Sequence, residues 1–184
     1  FPIPGYQSDW ELQDNAKRRK YELEPIQRMR KIDNREALEV NSFGTSGRTE
    51  FETVVSTSKG QRAIAPGYLQ KTWEEGDRAY FHYKMDEPIW GFFSFLSADY
   101  EVQTDQWNDV AIEVYYKHDY NVERMIYATK KSLEYFEANF TPYQYRQFRI
   151  LEFPRYQGVL AQSFPNTIPF SEQIGFVADL TDKK

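Results

Sequence analysis

The sequence predicts an α+β protein, with an antiparallel, β-sandwich-like segment in its middle followed by one amphipathic helix and further strands. Three observations carry this. Between residues 50 and 117, short runs of β-branched and aromatic residues alternate with Gly, Pro and Asp turn signals. From Tyr120 the apolar period changes from two to three and four, the spacing of a helix face. The chain is also rich in rings, with 14 Tyr, 14 Phe and 4 Trp among 184 residues, and rings supply the buried area that its aliphatic content does not.

In chain order, Ser8-Asp9-Trp10-Glu11 fits a capping box, and the basic run Lys17-Arg18-Arg19-Lys20 suits a last turn, which predicts a helix over 9–21. An irregular stretch follows through Arg48. Its Gly44-Thr45-Ser46-Gly47 cluster is a turn and not the Gly-x-Ser-x-Gly of a nucleophile elbow. Strands are predicted over 51–57, 62–65, 78–84, 90–97, 100–104 and 110–117. In the third of these, Ala79, Phe81 and Tyr83 alternate with Tyr80 and His82, and such aromatic stripes are read as core packing. A helix over 121–138 starts at Asn121 as N-cap, with Glu123 in its first turn. Thr141-Pro142-Tyr143 ends it, residues 147–153 read as a strand, Pro154 through Pro169 punctuate a long loop, and 173–178 read as a last strand.

Charge and composition exclude several functions. With 28 Asp+Glu against 23 Lys+Arg the formal charge is −5, and nucleic acid is not an expected partner. The run Ile89 to Leu96 is far short of the roughly 20 apolar residues that span a bilayer. No cysteine is present, which removes thiol catalysis and thiolate metal sites. His82 and His118 form no His-Glu-x-x-His pair, and no phosphate-binding glycine loop occurs, so the two histidines are read as a sheet-face and a loop residue.

The run from Asn121 through Phe136, then Phe140-Thr-Pro-Tyr143 and Arg149-Ile-Leu-Glu-Phe-Pro154, resembles the start of the catalytic domain in aminopeptidase-N-like zinc metallopeptidases of the gluzincin type. Residues 51–67 and 80–102 resemble later strands of that family's N-terminal β-domain, and residues 1–6 resemble the segment before them. The stretch Gln162-Ser-Phe-Pro-Asn-Thr-Ile-Pro-Phe-Ser-Glu172 is similar to bacterial membrane proteins that join an ABC-transporter-type permease to an extracytoplasmic peptidase-like domain.

The resemblance implies a partial N-terminal β-domain over 1–117 and the beginning of a thermolysin-like catalytic domain over 118–184. In that family a Gly-x-Met-Glu-Asn motif runs along the substrate, and its Glu holds the α-amine of the peptide. Here Glu172 matches that Glu, and Gln173 replaces the Asn with another amide. Phe170 and Ser171 precede them, Ser171 standing for the Met, and Pro169 replaces the Gly and offers no N–H. These four, Glu172, Gln173, Ser171 and Phe170, are the expected substrate-binding residues. The family's zinc motif is expected beyond Lys184, so this chain is expected to contribute no catalytic residue, no metal ligand and no cofactor of its own, with zinc in the parent. The implied partners are a peptide substrate, the remainder of the catalytic domain and membrane segments of the same chain, at a periplasmic location. The alternative is a non-catalytic binding or spacer module of a transporter-associated protein.

Overall fold

The computed structural model describes residues 14–26, 33–35, 48–155 and 158–179. The chain divides into two compact units, Phe1–Thr49 with Trp90–Phe92, and Glu50–Ile89 with Phe93–Lys184.

In the first unit, helix α1 (Asn15–Lys20) is shorter than expected. Asp14 caps it: one carboxylate oxygen accepts the N–H of Ala16 at 2.7 Å and of Lys17 at 3.4 Å. Asn15 Oδ1 accepts the N–H of Ile26, and buried Arg18 donates from Nε to the Glu24 carbonyl, so the chain folds back on the helix. The capping box at 8–11 and the turn at 44–47 lie outside the described residues.

The second unit contains the strands β1 (Glu52–Ser58), β2 (Arg62–Ile64), β3 (Tyr68–Glu75), β4 (Arg78–Lys84), β5 (Leu96–Ala98), β6 (Glu101–Trp107), β7 (Val110–Tyr116), β8 (Gln147–Phe153) and β9 (Thr167–Ser171), with helix α2 (Val122–Asn139) between β7 and β8. Strands β1, β4 and β3 form an antiparallel sheet in that order, and β2 and β5 form an antiparallel ribbon. The remaining sheet is mixed, in the order β9-β8-β7-β6. Within it β9, β8 and β7 run parallel, and β6 is antiparallel to β7.

The mixed sheet is covered on both faces. Val110, Ile112 and Val114 alternate along β7 and, with Ile150 and Phe176, meet Val122, Ile126 and Leu133 of α2. On the other face Tyr115 and Leu151 meet Ile64 of β2 and Tyr100. The opposite side of β2, through Ala63, packs with Ala79, Phe81 and Tyr83, the stripe read from the sequence as core. Strands buried on both faces lose the clean polar alternation of a half-exposed sheet, as Tyr115 and Leu151 show.

Four local expectations are corrected. Strand β3 is absent from the sequence reading because, Tyr68 apart, it presents little buried surface, and its pairing with β4 shifts between Leu69 and Lys71. Of residues 90–97 only Leu96 and Ser97 enter a strand of this unit. Phe93 packs edge-on against Phe51 at 4.7 Å and Phe95 at 5.8 Å in place of a ladder. Residues 167–171, expected in a loop, form β9. Its outer edge is held by Ser171 N–H donating to Leu160 O and Gln162 N–H donating to Pro169 O, an edge position that tolerates proline. The expected strand over 173–178 is instead a π-helical turn, Glu172–Phe176.

One buried cation joins these layers. Arg149 on β8 is 1% exposed. It donates to the carbonyls of Ala65 (3.0 Å) and Gly67 (3.2 Å), to Gln147 Oε1 (2.8 Å) and, at longer range, to Glu113 Oε2 (3.4 Å) and Thr167 Oγ1 (3.5 Å). The Tyr83 and Tyr115 rings lie 5.5 and 5.8 Å from the guanidinium carbon. Buried Asn166 adds a bond from Nδ2 to the same Gln147 oxygen, and its Oδ1 accepts the Gly67 N–H. Gly67 has φ +96°, and a Cβ there would lie 2.7 Å from the Lys84 carbonyl carbon, so only glycine fits the approach. Replacing Arg149 by Ala strands these acceptors and the Glu113 charge. The expected loss is about 3–5 kcal/mol of unfolding free energy, with little recovery in Arg149→Lys, whose ammonium has three donors in place of a planar fork. Urea titration followed by tryptophan fluorescence measures both variants.

Candidate functional site

The parallel pairing of β7, β8 and β9 places the carboxyl ends of three strands side by side. Leu151 of β8 pairs with Tyr115 of β7, and Phe153 pairs with Ser171 of β9. The residues just past or at these ends are His118 after β7, Glu152 on β8 and Glu172 after β9. One donor atom from each lies within 4.8 Å of the other two.

Glu152 is 4% exposed and is the fixed member of the group. Its Oε2 accepts the backbone N–H of Lys117 (2.6 Å) and of His118 (3.0 Å), while Oε1 lies 2.5 Å from His118 Nδ1. Its carbonyl accepts the Tyr100 hydroxyl at 2.9 Å, and burial, with the Glu152 charge behind it, pushes that hydroxyl up to about 12. The Lys117 ammonium turns away to Asp99 at 2.8 Å, a bond that raises the lysine and lowers the aspartate relative to their ordinary values. Among the described residues, no Lys or Arg side chain is ion-paired to Glu152 or Glu172.

The four residues expected to bind substrate fall in different environments. Glu172 opens the π-turn, half-buried, and one carboxylate oxygen accepts the Arg155 N–H at 3.0 Å. Ser171 is fully buried and caps the turn, its hydroxyl accepting the Gln173 N–H at 3.4 Å. Gln173 lies within the turn and is partly exposed. Phe170 packs its ring into the apolar cluster under α2, lining a groove with Met125, Ile150, Ile168 and Gly175. Glu172 therefore joins the polar group and Phe170 the apolar one.

Sequence reasoning missed Glu152 and gave His118 no role. The two lie 34 residues apart, and the parallel register of β7 and β8 alone brings them together. The available signal was a carboxylate inside an otherwise apolar strand, Ile150-Leu151-Glu152-Phe153, where a buried charge requires partners. Asn121 also differs from its expected role. It occupies the N-cap position but makes no side-chain cap bond, and its amide donates to the Ala178 carbonyl at 2.8 Å, tying the start of α2 to the chain after the π-turn. His82 lies on β4 as expected, 2.7 Å from Glu52 Oε1. That contact first, then Lys84, holds the Glu52 carboxyl below the usual carboxylate range.

The fold has known counterparts. An M1 zinc metallopeptidase from Deinococcus radiodurans superimposes with a TM-score of 0.60 and 15% identity, over 70% of this chain and 31% of its own. A two-domain M1 zinc metallopeptidase variant bound to L-arginine gives 0.59 over the same shares, and one bound to L-tryptophan gives 0.58 over 69% and 31%, each at 15% identity. The α+β architecture is thus one found in M1 zinc metallopeptidases, and the chain spans about 31% of the length of these neighbours. No protein-family model and no curated protein matches the sequence. The two histidines of this chain are 36 positions apart, on β4 and after β7, so its own residues do not fit a His-Glu-x-x-His zinc set.

The π-turn holds Glu172 in place through close packing. A Cβ at Gly175 would overlap the Phe170 ring and lie 2.8 Å from Met125 Cε. Gly175→Ala should therefore cost about 1–3 kcal/mol, the range for overpacking. The Phe170 and Met125 side-chain NMR resonances should move in this variant, with those of β4 unchanged.

Proposed function

We propose that this chain is the substrate-side part of a zinc-aminopeptidase-like protein, in which Glu172 holds the free α-ammonium of a peptide. The observation that carries the reading is the convergence of Glu172 with buried Glu152 at the ends of parallel strands, without a lysine or arginine partner among the described residues. Two carboxylates in a partly desolvated place favour a cationic guest, and an ammonium answers them with three N–H donors. The folding neighbours solved with L-arginine and L-tryptophan hold ligands that carry such a group. Fixing the ammonium sets which residue of the peptide is first, so this chain would define the N-terminal end of the substrate. Hydrolysis itself requires zinc and a general base, which the parent is proposed to supply from other residues.

The parent is further proposed to be a bacterial membrane protein with ABC-transporter-type permease segments, its peptidase-like part extracytoplasmic. The likeness of residues 162–172 supports this. Among the described residues, no helix is long and apolar enough to cross a membrane. A second reading, a non-catalytic binding or spacer module, is favoured by the exposed rings of Tyr135, Phe136 and Phe140 at the end of α2, which touch one another at 5.5–6.5 Å and present an apolar surface.

The two readings separate in a titration of the chain with a short alanyl peptide and its N-acetylated counterpart, followed by amide NMR shifts. The amine-anchor reading expects the free-amine peptide to bind, the acetylated one not to, and Glu172→Gln to weaken binding about 10- to 100-fold, the worth of a hydrogen bond to a charged group at roughly 1.5–3 kcal/mol. Equal shifts with both peptides, or an unaltered Glu172→Gln variant, would leave the spacer reading in its place.

A further inference from the structure

The polar group at the strand ends has the composition of a metal site as well as that of an ammonium site. It comprises one imidazole and two carboxylates, drawn from three separate segments, with donor atoms within 4.8 Å of each other. A tetrahedral transition-metal centre accepts nitrogen and oxygen donors at about 2.0–2.2 Å, so three ligands around one ion lie about 3–4 Å from one another. To reach that geometry the His118–Glu152 pair, at 2.5 Å, opens by about 1 Å, and the more distant donor closes by a similar amount.

We propose that His118, Glu152 and Glu172 together bind one divalent transition-metal ion, zinc or cobalt in preference to magnesium or calcium, with the remaining coordination position open to water. Two features of the group besides its donor atoms support this. First, both carboxylates are anchored by backbone N–H groups, while Glu152 Oε1 and His118 Nδ1 face each other at 2.5 Å, a contact that a bound ion would replace. Glu152 Oε2 is fixed by two backbone N–H groups, and Glu172 is fixed through one oxygen by the Arg155 N–H. Second, the only ion-pair partner of either carboxylate among the described residues is His118, itself one of the three proposed ligands. Glu152 is 4% exposed, and the neighbouring Lys117 ammonium is engaged by Asp99. An imidazole nitrogen selects against the hard cations that prefer an all-oxygen shell.

The inference goes beyond the reading of Glu172 as an amine anchor and does not need it. If both hold, ion and ammonium compete for the Glu172 carboxylate. The other histidine-carboxylate arrangement among the described residues does not offer the same set: His82 with Glu52 has Lys84 already on the same carboxylate, at 3.2 Å.

The test is titration of the chain with cobalt(II), read by visible absorption, and with zinc(II), read by calorimetry, in buffer free of chelators. Circular dichroism confirms that each variant is folded. The expected result is one equivalent of ion, visible ligand-field bands in the range of four- or five-coordinate cobalt, and affinity reduced about tenfold or more in His118→Ala and in Glu172→Gln. His82→Ala should be unchanged. No binding of either ion, or unchanged binding in either of the first two variants, overturns the inference. Should metal fail to bind while the free-amine peptide does so through Glu172, this inference falls and the amine anchor stands. Metal binding with the expected pattern, and no preference for a free amine, gives the reverse.

Discussion

The second unit depends on a guanidinium that has no access to water. Arg149 lies in the middle of β8, and its five N–H groups face five oxygens on four segments: the 65–67 loop, β7, β8 itself and β9. Taking such a charge out of water costs several kcal/mol, and that cost is offset only when every donor is met. The aromatic faces of Tyr83 and Tyr115 close the remaining directions, and burial pushes the Tyr83 hydroxyl up to about 12, so that it stays a neutral donor to the Ala63 carbonyl. A planar fork with fixed directions admits few arrangements of its acceptors. The Arg149 side chain therefore specifies how the 65–67 loop meets the mixed sheet, where apolar contacts alone would tolerate sliding.

That specification reaches the strand ends. Arg149 pairs with Glu113 on one side and Thr167 on the other, and it bonds to both of those neighbours through its side chain. Fixing this rung fixes the parallel register three residues further on, where Glu152 meets the turn after β7 and Glu172 leaves β9. A slip of one residue in either pairing would carry Glu152 to the opposite face of the sheet. The distance between a structural charge and a candidate binding charge on one strand is thus three residues, and one ladder positions both.

How much of this was legible in the sequence varies with the kind of signal. Helix α2, β4 and β8 announce themselves through periodicity, and the Ala79, Phe81 and Tyr83 stripe packs as its alternation says. β3 has little buried surface to leave a pattern, and β9 contains a proline that reads as a loop until its edge position is known. The turn at Glu172–Phe176 carries Ile and Phe at strand-like spacing, yet the Ser171 cap and the ring of Phe170 against Gly175 select a helical turn. Glu172 is singled out in the sequence through family likeness. Glu152 stands out locally as a carboxylate in an apolar strand, but its meeting with His118 follows only from two strands running parallel, a long-range fact that no local window contains. Asn121 illustrates the same limit, since its cap position was legible but its bond to Ala178 was not.

Strand β8 also shows how a buried charge that holds a fold differs from one that is open to a ligand. Arg149 has a partner for each of its donors. Glu152, equally removed from solvent, has room for about four hydrogen bonds on its two oxygens; it receives two backbone N–H groups on Oε2 and one imidazole on Oε1. Glu172 receives a single backbone N–H. Acceptor capacity is left over on both carboxylates, and a donor atom of each lies within 4.8 Å of the other. An ammonium or a metal ion placed there would meet two anionic acceptors at once. Whichever cation binds, it would meet carboxylates whose approach is set by the Arg149 ladder and not by their own attraction.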